Sequence, residues 1–389
     1  MPVDFIPIAR PCFGEREADA ARRAILSGWV TQGPEVAAFE AEFAAYVGAP
    51  HASAVSSGTT ALHLALLAVG VKPGDEVVTV SHSFIATANA IRYCAARPVF
   101  VDINPATFNI DPEQAAGAIS PRTRAILVVH QLGMPCDMHA LVDLGARHNL
   151  PIVEDAACAI GSEICLDGGW ERIGRPRGSV ACFSLHPRKL LSTGDGGMIT
   201  TADPAIDRQI RLLRQHGMTT SDRQRHEANV VTFESYATLG YNYRLTDIQA
   251  AIGREQLARL SETIPHRRAM AARYHAQLQS IRGLELPREP DWARSNYQSY
   301  CVRLPDHADQ RRVMQHMLDD GIATRRGVMC AHREAAYPPG TWSSAGPLVH
   351  SERAQERCVI LPLFHDFSEA EQDRVVSSLS AACAAGAAA

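Results

Sequence analysis

Two hydrophobic patterns alternate along the first half of the chain. Runs that are apolar almost throughout, and too short for helices, fall at 51–55, 76–80, 98–101, 125–130, 151–154 and 179–184. Between them, at 14–28, 35–47, 61–69, 112–119, 137–149 and within 81–95, the sequence predicts helices. Val36, Phe39, Phe43 and Val47 make one such apolar stripe, and 61–69 is apolar on every side, the mark of a buried helix. Strand–helix alternation with near-continuous apolar strands predicts an α/β fold, with a mainly parallel central sheet covered on both faces.

After 184 the pattern changes. A glycine turn, Gly194-Asp195-Gly196-Gly197, leads into a returning strand at 198–201 and a helix at 204–215. Residues 218–240 lack a period and read as a long loop or a hairpin. Thr246-Asp247-Ile248-Gln249 is a capping box that opens a helix running to about residue 280. The domain boundary is expected on that helix, giving a large domain over 1–258 and a smaller C-terminal α/β domain over 259–389. The smaller domain carries a predicted strand at 297–304 and helices at 308–319 and 368–382, before a low-complexity end expected to fray.

In parallel sheets, ligands gather at the carboxyl ends of the strands. Ser57, Phe84, His130, Asp155 and Ser184 each fall at or just past such an end. Ser56-Ser57-Gly58-Thr59-Thr60 opens the buried helix at 61–69; it reads equally as a phosphate cradle of N–H and hydroxyl donors and as a plain serine cap. Lys189 lies between two β-type runs with no acidic residue close before it. A lysine desolvated where strands converge offers a neutral amine for Schiff-base chemistry; a solvated surface lysine is the alternative. An anion site, an aromatic, a carboxylate at a strand end and an amine together meet the needs of pyridoxal 5'-phosphate.

Composition narrows the field. With 38 Lys and Arg against 42 Asp and Glu, the net charge of −4 provides no basic field for nucleic acid or an anionic membrane. No apolar run approaches the roughly 18–20 residues of a membrane span, and the N-terminus lacks the apolar core of a signal peptide. The ten cysteines are dispersed without C-x-x-C spacing, which points to a reducing, cytoplasmic setting and to no metal site. A dinucleotide-binding protein is disfavoured, because no G-x-G-x-x-G turn follows the first strand.

GWVTQGPEVAAFE, SSGTTALHLAL, SFIATANAI, VEDAACAIGSE, ACFSLHPRKLLSTGDGGMITT, LRQHGM and LGYNYRLTDIQAAIG, in this order, resemble the DegT/DnrJ/EryC1/StrS family over residues 6–380. These are sugar aminotransferases of the PLP-dependent transferase type I fold, that of aspartate aminotransferase. The resemblance implies that Lys189 bonds to the cofactor and carries the proton, Asp155 pairs with the pyridine nitrogen, and Phe84 stacks on the ring. Gly58, Thr59 and Ser184 would hold the phosphate, with Asn242 reaching it from a neighbouring subunit, so that a homodimer shares two active sites. Cys158 stands where the family more often has Gln or His beside the cofactor's phenolic oxygen; a thiol, being a weaker hydrogen-bond partner, alters the ring electronics or makes room for substrate. Lys189 argues against the branch of the family that carries histidine there and dehydrates its substrate. Arg325, Arg326 and His332 sit where the family's sugar-nucleotide contacts often arise.

The implied reaction takes an amino group from L-glutamate to a nucleotide-linked keto sugar, with a 4-keto-6-deoxyhexose preferred. Two other readings stay open: a cyclitol or other non-nucleotide keto substrate, and a regulatory homologue that retains the fold without turnover.

Overall fold

A computed structural model describes residues 5–220, 229–231 and 233–385. Helices α1 (Glu15–Leu26) and α2 (Pro34–Val47) precede the first strand, β1 (His51–Val55). Strand–helix units follow: α3 (Gly58–Ala68) leads to β2 (Glu76–Val80), and α4 (Ala86–Tyr93) to β3 (Arg97–Val101). In turn α5 (Pro112–Gly117) leads to β4 (Thr123–Val129), and α6 (Met138–His148) to β5 (Ile152–Asp155). A hairpin of β6 (Glu163–Leu166) and β7 (Gly169–Arg172) intervenes before β8 (Val180–Ser184), β9 (Gly197–Thr201) and α7 (Pro204–Leu213).

The main sheet has the order β1-β9-β8-β5-β4-β2-β3, completed by a two-residue strand, Ser343–Ser344, from the second half of the chain. Only β9 runs against its neighbours; the other pairings of the main sheet are parallel, as the continuous apolar runs predict. Successive side chains point to opposite faces of a strand, and here both faces are covered. Val78, Ile126 and Phe183 pack with Phe39 and Phe43 on one side. Val77, Leu127 and Val153 pack with Leu62, Leu64 and Leu66 on the other.

The helix expected after Thr246 is two helices, α8 (Asp247–Ala258) and α9 (Leu260–Leu278), meeting at Arg259. The junction lies just before Pro265, which has no N–H to give to the carbonyl one turn back. A second core gathers Met270, Tyr274, Tyr300, Val302, Met317, Val359, Leu361 and Leu379 around an antiparallel sheet. That sheet holds Tyr300–Arg303, Cys358–Leu361 and Arg325–Arg326. Two segments cross between the cores. Ile6 is buried in the second, bonded through its backbone to Gly321 and Ala323. Tyr337, Trp342 and Leu348 return to pack on Phe100 of β3. All ten cysteines are free thiols. Among the described residues no helix is long and apolar enough to cross a membrane.

β1 carries the first cavity residues at its end, and a buried ion network fixes it there. Glu40 of α2 accepts the Ala54 N–H at 2.8 Å, while Arg214 donates to the Ala54 carbonyl and Arg211 to that of Ala52, each at 2.7 Å. Glu40 in turn pairs with Arg214 at 2.5 Å and Arg211 at 2.7 Å. Burial opposes ionisation of Glu40, but the two guanidinium groups outweigh it and hold its carboxyl below the usual range. Glu40→Gln leaves a buried arginine charge uncompensated, so we expect a loss of about 3 kcal/mol. A lower urea midpoint at unchanged slope is the expected readout; a shift below about 1 kcal/mol would show the network to be redundant.

Candidate active site

The carboxyl ends of β1, β2, β4, β5 and β8 share one rim of the sheet, because these strands run parallel. The loops there enclose a cavity of about 400 Å³. Ser57, Gly58, Thr59, Phe84, Asp155, Cys158, Ser184, Lys189, Arg325 and Arg326, ten positions read from sequence, all line it.

At the start of α3 the serine cap read from sequence is present. Ser57 caps α3, its Oγ accepting the Thr60 N–H at 3.1 Å while Thr60 Oγ1 accepts the Ser57 N–H at 3.0 Å. The cap consumes Thr60 and leaves the N–H groups of Gly58 and Thr59 without a protein partner among the described residues. The cradle is too tight for a side chain at Gly58: a Cβ there would meet Ser184 Cβ at 2.8 Å. The helix start therefore sits directly against Ser184, which brings two N–H groups and an O–H close together, a set of donors that could hold an anion.

Asp155 ends β5 and is 6% exposed. Thr87 donates its hydroxyl to Asp155 Oδ2 at 2.7 Å, and the Ala157 N–H reaches Oδ1 at 3.2 Å. Since the Thr87 proton is spent on Asp155, the Ser83 hydroxyl at 2.7 Å donates to Thr87 in turn. Burial pushes the Asp155 carboxyl above the usual carboxylate range, against the pull of Thr87, the Ala157 N–H and Lys189. A cation placed over this carboxylate would relieve that burial, and a protonated pyridine nitrogen is such a cation. Sequence reasoning passed over Ser83 and Thr87. The hydroxyls in SFIATANAI, close after a strand end and entering a helix, were the available signal.

Lys189 Nζ lies 3.0 Å from Cys158 Sγ, to which it donates. Phe84 is 59% exposed on the cavity wall, an uncovered aromatic face where a planar ring can stack. His130 borders the cavity but is fully buried: its Nδ1 accepts the Cys136 N–H, so Nε2 carries the proton and donates to Glu154, both at 3.0 Å. That arrangement fixes the end of β4 and commits both ring nitrogens. His63 is likewise a core residue, packed against Tyr93, Tyr241 and Tyr243.

Two of the positions lie outside this chain's cavity. Asn242, expected to act from a neighbouring subunit, is exposed elsewhere on the surface. His332 has both ring nitrogens engaged, Nδ1 with Ser81 Oγ at 2.6 Å and Nε2 with Glu352 at 3.1 Å, and serves as a strut between β2 and Val349–Arg357. Of the two arginines, Arg326 is held by Glu334 at 3.1 Å, whereas the Arg325 guanidinium has no hydrogen-bond or ion-pair partner among the described residues.

The chain is similar to known proteins along most of its length. The model of the DegT/DnrJ/EryC1/StrS aminotransferase family matches residues 11–380. The spore coat polysaccharide biosynthesis protein SpsC of Bacillus subtilis (strain 168) is 35% identical over 379 residues, 96% of each chain. DesV of S. venezuelae, solved in complex with a ketimine intermediate, is 34% identical with a TM-score of 0.86, covering 97% of this chain and 98% of its own. 3-Amino-5-hydroxybenzoic acid synthase is 30% identical with a TM-score of 0.86, covering 98% and 99%. The chain belongs to the DegT/DnrJ/EryC1/StrS aminotransferase family and is a pyridoxal-phosphate-dependent aminotransferase.

Proposed function

We propose that this enzyme converts a nucleotide-linked keto sugar, a 4-keto-6-deoxyhexose, to an amino sugar, with L-glutamate as the amino donor. The observation that carries this reading is Arg325, whose guanidinium lies on the wall of the Lys189 cavity, unpaired among the described residues and available to a diphosphate. Arg326, tied to Glu334, adds positive charge beside it.

Bound pyridoxal phosphate supplies an electron sink for a carbanion formed next to it. The chain's residues do the rest. Gly58, Thr59 and Ser184 hold the phosphate, Phe84 orients the ring, and Asp155 keeps a proton on the pyridine nitrogen. Lys189 Nζ is the covalent anchor. Once the amino donor has released it, Nζ moves the proton taken from the donor carbon and later returns one to the sugar carbon. Cys158 Sγ accepts a hydrogen bond from that amine and keeps it directed.

The site is completed in this reading by Asn242 of a second copy. Exposed Val231, Phe233 and Leu239, each more than 80% accessible and close before Asn242 in sequence, support an interface on that face. The ten free thiols fit a reducing, cytoplasmic setting.

The test is single turnover of the pyridoxamine-loaded enzyme against nucleotide-linked keto sugars and keto-inositols. Turnover of a nucleotide-linked 4-keto sugar, weakened about 10-fold or more in KM by Arg325→Ala, is expected. Similarity to 3-amino-5-hydroxybenzoic acid synthase favours a second reading, a cyclic substrate without a nucleotide. Turnover of keto-inositols alone would establish it.

A further inference from the structure

The contact between Lys189 and Cys158 is held from outside by one short loop, residues 295–299, which joins β10 (Ala293–Arg294) to β11 (Tyr300–Arg303). Gln298 Nε2 donates to the Arg188 carbonyl at 2.7 Å, and its Oε1 accepts the Leu190 N–H at 3.2 Å. The side-chain amide thus pairs with the backbone groups immediately before and after Lys189, as a neighbouring strand would. An amide carries a donor and an acceptor side by side in one plane for this; a carboxylate has no donor and an aliphatic chain has neither.

The same loop holds the other partner. Asn296 Nδ2 donates to the Cys158 carbonyl at 2.9 Å and to that of Ile160 at 2.8 Å, while its Oδ1 accepts the Gln298 N–H at 2.8 Å. Both ends of the 3.0 Å Lys189–Cys158 contact are therefore fixed to residues 296 and 298. The loop is itself over-determined. Tyr297 is left-handed, with φ 48°, and the buried Arg267 spans the carbonyls of Tyr297, Gln298 and Leu363 at 2.8–3.2 Å. Burial lowers the Arg267 guanidinium to about 10, so the clamp is kept against an electrostatic penalty. A Cβ at Gly133 would lie 2.1 Å from Asn296 Oδ1, so the loop also seats flush on the large sheet's rim.

We propose that Gln298 is a positioning residue for Lys189, setting the direction of its amine from the smaller domain without touching substrate. This rests on Lys189 being the proton-carrying lysine. The test compares Gln298→Met, which retains bulk and removes both hydrogen bonds, with Gln298→Glu, which retains the acceptor for Leu190 and sets a carboxylate against the Arg188 carbonyl. In cofactor-free protein, amide exchange at Leu190 should quicken at least ~10-fold in Gln298→Met and much less in Gln298→Glu. In loaded enzyme, the pH midpoint of the cofactor's visible absorbance should move by at least ~0.5 unit in both variants. A fall in kcat of about 10- to 100-fold, with KM for both substrates nearly unchanged, should accompany it. An unchanged midpoint and unchanged Leu190 exchange in Gln298→Met would overturn the proposal; if that variant does not fold, an unchanged midpoint in Gln298→Glu does the same. Failure of the lysine assignment shows separately, as borohydride labelling that survives Lys189→Ala in the native Gln298 background.

Discussion

Lys189→Ala will lower transamination on the order of 10³-fold or more, because one substitution removes both a covalent anchor and a proton carrier. Among the described residues, the cavity lining holds no second lysine. Cys158, which lies against Nζ, is a thiol that cannot form the same bond, and His130 has both ring nitrogens committed. Borohydride reduction of loaded wild-type enzyme should fix the cofactor to the peptide spanning 179–201, and Lys189→Ala should yield no adduct. Retention of the adduct, or a loss below about 10-fold, would remove Lys189 from the chemistry. Lys189→Arg should do no better than alanine: it restores the charge without an amine that can be deprotonated.

Asp155→Asn is expected to cost about 10²- to 10³-fold in kcat, since it removes a preorganised charge from the place where the ring must stay cationic. The fold should tolerate it, because Thr87 can donate to an amide oxygen as it does to the carboxylate. The pH dependence gives an independent readout. Burial raises the Asp155 carboxyl, so the stability it contributes is present below the ordinary carboxylate range and is lost as pH rises through the raised value. A ring cation opposite the carboxylate offsets that loss. The gap in Tm between loaded and cofactor-free protein should therefore widen with pH from about 4 towards neutrality. Asp155→Asn should flatten that slope; an unchanged slope would mean that another group carries it.

The α/β architecture was legible because parallel strands buried on both faces leave a plain signature, as Val77-Val78 and Ile126-Leu127 do. The site residues at strand ends followed from the same topology, while their roles came from resemblance. What stayed hidden was set by contacts distant in sequence. The Thr246 capping box was readable, but not that the adjacent Asp247 caps a second helix. Its carboxylate accepts the N–H groups of Gly33, Glu35 and Val36 at the start of α2. The β6–β7 hairpin was passed over although Asp167-Gly168, at φ 51° and 81°, is its turn; the half-exposed strands gave too weak an alternation to flag it. In the aperiodic stretch after Gly217, the ends pair through Met218–Tyr236 and Thr219–Ser235, as in the hairpin alternative. Residues 221–228 and 232 lie outside the described residues. The Gln298 clamp could not be seen at all, because an amide in a loop carries no periodic signal.

The ion network on β1 also bears on solubility. β1 is the edge of the eight-stranded sheet, and the outward amide and carbonyls that Glu40, Arg211 and Arg214 occupy are those to which a foreign strand would zip. The opposite edge is only two residues long, too short to template another chain. With the Glu40 carboxyl held below the usual range, this guard stays closed through mild acidification and opens only under strongly acidic conditions. Acid-induced precipitation of this enzyme should therefore begin at β1, and Glu40→Gln should bring its onset closer to neutral pH.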